Sequence, residues 1–244
     1  MMSSPLVQSE EVPKYLPLET KQTIPWEDLS QLFEGFTSKL KYDPEQGTWN
    51  IGYGTDIGKK KSTWPYGTYA EDVAQLLKNE GLSNEIIRDI LQGNQALSED
   101  LGKKLFELRY DRRKAMLTTK YEELFQKKFI DLPEVVQNML VDFSYNMRWE
   151  YGILPAPGFP GFTDACKALE KEDWAKMAHE IAESPYADQV GPRRAGYWVY
   201  QLTKLSDKPL NEMTKDVTQI EKDKLAEFVS TFEIKDTADF KSKL

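Results

Sequence analysis

One histidine, His179, and one cysteine, Cys166, stand against 40 aspartates and glutamates in this 244-residue chain. A lone cysteine forms no disulfide within the chain, and with one histidine it cannot assemble a zinc site of His and Cys ligands. A Ser-His-Asp or Cys-His arrangement would have to use His179, which falls in the helical pattern Trp174, Met177, Ala178, Ile181 and reads as a surface or packed histidine. Hydrolytic chemistry in this chain must therefore run on carboxylates. Glu34 and Asp43 are two acids on adjoining elements with opposite surroundings. Glu34 lies at a predicted helix end beside Phe33, Phe36 and Trp26, and a carboxyl held among apolar side chains keeps its proton more readily. Asp43 lies beside a turn, where solvent and backbone donors keep a carboxylate ionised. Acids set apart in this way suit the two roles of general acid and base.

The bulk composition narrows the partners. A net charge of -8 argues against tight nucleic-acid binding, which needs a surplus of Lys and Arg on one face. The run Lys59, Lys60, Lys61 is the local exception and reads as a solvated loop. The same acidity gives no general attraction to an anionic polymer, so action on one requires a shaped cleft. No apolar run approaches the roughly 20 residues of a membrane span, so no membrane insertion is expected. Met1 to Glu19 lacks the basic-then-apolar pattern of a secretory signal, which predicts a protein made and left in a cytoplasm. The 40% hydrophobic content is ample for a buried core.

The elements that must carry these residues follow from periodicity. Residues 1–22, with Pro5, Pro13 and Pro17 among polar residues, read as an extended N-terminal arm. Thr23 can cap a helix with Pro25 in its first turn, and Trp26, Leu29, Leu32, Phe33 and Phe36 give it an apolar stripe ending near Gly35. Leu40 and Tyr42, then Asp43 to Gly47, then Thr48 to Ile51 signal a hairpin. Helices follow around Val73, Leu76 and Leu77, around Ile86 to Leu91, and after the N-cap Ser98 with Leu101, Leu105, Leu108 and Met116. Pro133 opens the most apolar helix, with Val135, Val136, Met139, Leu140, Val141 and Phe143, the candidate for a buried centre. Pro155 to Gly161 read as an irregular loop, with helices at Phe162 to Leu169 and Trp174 to Glu183. After Pro209, the residues Met213, Val217, Ile220, Leu225 and Phe228 mark a last helical stretch. The layout is α+β, one small strand region among many helices, with no internal repeat.

Periodicity does not select Glu34 and Asp43 from 40 acids; a resemblance does. Glu34-Gly35-Phe36, Lys41-Tyr42-Asp43, Gly47 and Trp49-Asn50-Ile51-Gly52-Tyr53-Gly54 resemble the active-site signature of the phage lysozyme family of endolysins. Leu105-Phe106, Phe143-Ser144-Tyr145-Asn146-Met147, Gly161-Phe162-Thr163, Trp174 and Gln189-Val190-Gly191 to Arg193-Arg194-Ala195 are similar to that family's helical lobe, in family order. The resemblance implies a two-lobed fold, a small β-hairpin lobe plus a larger helical lobe, over residues 23–205, with residues 206–244 a helical extension. It implies a phage-encoded muramidase acting on bacterial peptidoglycan without metal or cofactor, at the β-1,4 bond between N-acetylmuramic acid and N-acetylglucosamine. Glu34 would be the general acid, Asp43 the base or electrostatic partner, and Asn50, standing where the family has a water-holding Thr, an amide able to orient water. Asn146 matches an amide lining the sugar cleft, and Arg193 or Arg194 a cleft arginine; a helix-end amide and a surface ion pair are the plainer alternatives. Trp49, Tyr53 and Trp64 could stack on sugars or belong to the core.

The chain departs from the family at Asn50, at Thr55 where a His is common, and in a turn one residue longer between Asp43 and Asn50. Two rival readings stay open. A lytic transglycosylase needs only one acid and leaves an anhydro-sugar end, whereas Asp43 with Asn50 favours water as acceptor. A virion structural or wall-binding protein would keep the fold with impaired catalysis, using the two terminal extensions to attach to virion or tail proteins. A free lysin without an export signal would need a pore-forming partner to reach the wall.

Overall fold

A computed structural model of the chain describes residues 34–44, 47–58, 67–147, 151–156 and 161–206. The predicted first helix up to Phe33, the run Lys59 to Lys61, Trp64, the N-terminal arm and the stretch after Pro209 lie outside the described residues.

The predicted hairpin is present and gains a third strand. Strands β1 (Thr37–Asp43), β2 (Thr48–Gly52) and β3 (Thr55–Asp56) form an antiparallel sheet in the order β1-β2-β3. The amide of Gly47 donates to the carbonyl of Asp43 at 2.8 Å and closes the turn between β1 and β2. Tyr42 pairs with Trp49, their rings 5.1 Å apart, so Lys41, Asp43, Thr48 and Asn50 share the opposite face. The register slips between Thr37 and Lys41, where a bulge bends β1.

Seven α-helices and one 3-10 turn follow among the described residues. Helix α1 (Gly67–Asn79) and α2 (Asn84–Gln92) pack Val73, Leu77, Ile87, Ile90 and Leu91 with Ile51 and Ile57 of the strand region. Helix α3 (Glu99–Phe125) starts at the predicted cap, the Ser98 hydroxyl accepting from the amide of Leu101 at 3.3 Å. Its Leu105 belongs to this first cluster, while Phe106, Tyr110, Leu117 and Tyr121 belong to a second, so α3 spans both. The second cluster surrounds α4 (Glu134–Asn146), which opens at Pro133 and buries Val136, Met139, Leu140, Val141 and Phe143, as its apolar run predicts. Helices α5 (Thr163–Lys171), α6 (Trp174–Ala182) and α7 (Pro185–Leu205) complete it.

Helix α7 departs from the sequence reading, which assigned no helix to residues 185–205. Gly191, Pro192 and Gly196 interrupt its pattern, and an interior proline costs about 3 kcal/mol and each glycine about 1 kcal/mol relative to alanine. Burial outweighs them. Tyr186, Trp198, Val199 and Leu202 are all buried, at about 1.5 to 3 kcal/mol for each large apolar side chain. Pro185 occupies the first turn, where its missing N–H is harmless. No helix among the described residues is long and apolar enough to cross a membrane.

Candidate active site

Glu34 is the last helical residue before the chain turns into β1. Phe36 follows it and lies against α3 at Gly102, where a β-carbon would come within 2.6 Å of the ring. The same ring meets Tyr53 at 5.3 Å between centroids. These contacts pin the segment carrying Glu34 onto the junction between the sheet and the helices.

The Glu34 carboxylate is held on two sides. Below it is Gly54, in the left-handed region at φ +69°, whose missing β-carbon would stand 2.6 Å from Glu34 Oε2. Beside it is Arg194 of α7, whose Nη1 donates to Oε1 at 2.7 Å, with the side chains of Arg194 and Glu34 only 8% and 15% exposed. The turn carrying Gly54 is itself fixed by two helices. Tyr145 of α4 donates its hydroxyl to the carbonyl of Tyr53 at 2.6 Å, and Arg109 of α3 donates to the carbonyl of Gly54 while its guanidinium lies 4.4 Å over the Tyr145 ring.

Behind Arg194 lies Asp142, in the middle of α4 and 0% exposed. Arg194 grips it through Nε, at 3.0 Å from Oδ2, and through Nη2 on Oδ1. Trp198 Nε1 and the Tyr186 hydroxyl donate to Oδ2 at 2.7 and 3.1 Å. Burial opposes the charge on Arg194, but Asp142 and then Glu34 outweigh it and raise the guanidinium pKa. Two carboxylates thus face one guanidinium.

The other residues singled out from sequence fall as follows. Asp43 ends β1, half-buried, opposite Thr48. Asn50 sits two residues along β2 from Thr48, opposite Lys41 and Asp56, so Asp43 and Asn50 are diagonal neighbours on one face, with about 7–8 Å between such positions. Asp56 turns its Oδ1 to the amide of Gly58 at 2.7 Å. Asn146 donates its Nδ2 to the carbonyl of Asp142 at 2.8 Å, one turn back in α4. Of the two arginines, Arg194 joins the site, as the ionic partner of Glu34; the Arg193 side chain lies outside the described residues. Tyr53 is a core residue, its hydroxyl donating to Glu99 at 2.9 Å. Trp49 packs against the first cluster.

The residues set aside on composition are both buried. Cys166 is buried beside the carbonyl of Ile153, and burial pushes its thiol up to about 12, which denies it a thiolate at neutral pH. His179 is buried on α6. Asp142, Tyr186 and Trp198 escaped the sequence reading. A signal for Asp142 was present, since it is the one acid beyond the first turn of the most apolar helix, and a buried charge persists only when paired.

No family model matches the chain, and no curated protein matches it.

Proposed function

We propose that the chain is a muramidase, a phage-type lysozyme that hydrolyses the β-1,4 bond between N-acetylmuramic acid and N-acetylglucosamine in bacterial peptidoglycan, without metal or cofactor. The observation that carries this reading is the largely buried Glu34 carboxyl, set against Gly54 and paired with Arg194 where the sheet meets the helices. The two buried clusters, joined through α3, support a two-lobed arrangement with the substrate cleft at that junction.

In this reading Glu34 donates its proton to the glycosidic oxygen as the bond to the anomeric carbon breaks. The negative charge left on Glu34 develops 2.7 Å from the Arg194 guanidinium, a fixed cation that needs no reorganisation as the charge appears. Asp43 and Asn50, on one face of the sheet, orient the water that completes the hydrolysis. Phage origin and attachment of the two extensions to virion proteins belong to the same proposal.

The test is digestion of purified peptidoglycan, with the released muropeptides read by mass spectrometry. Hydrated reducing ends at N-acetylmuramic acid are expected. Anhydro ends would assign the chain to the transglycosylases, and an absence of soluble product would leave a binding role. Asp43→Asn is expected to lower turnover by about 10²- to 10⁴-fold if this carboxylate positions water; full activity in that variant would move the role to another acid, Glu45 first.

Gly54→Ala probes the seat of the acid. A β-carbon there strains the left-handed backbone by about 1–2 kcal/mol and meets Glu34 Oε2 at 2.6 Å. Displacing a reacting group by about 1 Å costs on the order of 10²-fold in rate. The expected outcome is a kcat loss of that order with a fall in melting temperature of only a few degrees, roughly. Unchanged kcat would show that Glu34 does not work from this seat.

A further inference from the structure

We propose that Asp142 is a positioning residue for Glu34: by holding the Nε and Nη2 edge of Arg194 it fixes the guanidinium so that Nη1 is presented to the acid. This rests on the reading of Glu34 as the general acid.

The geometry separates this role from simple neutralisation. Asp142 alone balances the charge of Arg194, binding its Nε and Nη2 together. Glu34 is therefore surplus to the electrical needs of the arginine and receives Nη1. Were Asp142 absent, the guanidinium would lose the two contacts that fix its Nε and Nη2 edge, and with them the placement of Nη1 against Glu34. Asp142 is in turn held by α7 itself: Tyr186, Arg194 and Trp198 reach it from that one helix. Asn146 Nδ2, at 3.4 Å from Oδ1, approaches it from α4. Since Asp142 is 0% exposed, it cannot touch a substrate and acts only through Arg194.

The test is kcat and KM for peptidoglycan hydrolysis by the full-length chain, measured separately, with folding verified by circular dichroism. Asp142→Asn is nearly isosteric and is expected to lower kcat on the order of 10²-fold with KM unchanged, the consequence of a displaced acid. A purely structural Asp142 would lower the folded fraction and leave kcat per folded molecule in place, so a folded variant with unchanged kcat overturns the proposal. Tyr186→Phe removes one donor from Asp142 and leaves the carboxylate, and is expected to fold and to lower kcat by a smaller factor, again with KM unchanged. If Asp142→Asn does not fold, this second variant decides, and a kcat equal to that of the unmodified chain overturns the proposal. Should the unmodified chain release no sugar, the functional reading fails first and the proposal falls with it; an active chain whose kcat is untouched by these changes sinks the proposal alone.

Discussion

Glu34→Gln is expected to abolish hydrolysis while leaving the melting temperature unchanged or slightly higher. The amide is nearly isosteric, and its oxygen can still accept from Arg194 Nη1, now at 2.7 Å. What it lacks is the transferable proton, and losing a general acid costs about 10²- to 10⁴-fold in rate. Stability is expected to hold because the native cluster sets two carboxylates against one guanidinium. With Gln at position 34, Asp142 and Arg194 balance. A gain in stability coupled to a loss of activity is the pattern of a site kept for function at the expense of the fold. Turnover near that of the unmodified chain would remove Glu34 from the chemistry. A large drop in melting temperature would instead make the Glu34–Arg194 pair structural.

Arg194→Met is expected to destabilise the fold by about 3–5 kcal/mol, the usual consequence of removing one partner from a buried ion pair. Asp142 would be left 0% exposed with Trp198 and Tyr186 as neutral donors and no counter-charge. Urea titration of the variant and of the double variant Arg194→Met/Asp142→Asn would read the loss: the second change is expected to recover part of it, because it removes the unpaired buried carboxylate. No recovery would mean that the missing side chain is felt through packing and not through charge.

The hairpin, the Ser98 cap and the central helix were legible because each has a local cause: turn residues between β-formers, a hydroxyl before an acidic first turn, an unbroken apolar run. Helix α7 was not, since Gly191, Pro192 and Gly196 argue locally against it and the burial that overrides them is contributed by distant elements. Glu34 and Asp43 could be named only through resemblance, and Arg194 only as one of two adjacent arginines. Arg194 is gripped by Asp142, 108 positions from Glu34 by subtraction of their numbers, and no periodicity links residues so far apart.

Gly54 also bears on how such a chain can drift. Left-handed backbone at that position excludes most side chains, yet Asn and Asp adopt it readily. A β-carbon there would meet Glu34 Oε2 at 2.6 Å, so any side chain at that position displaces the carboxylate. The two positions are therefore tied in descent: a side chain at 54 and the present seat of the acid exclude each other.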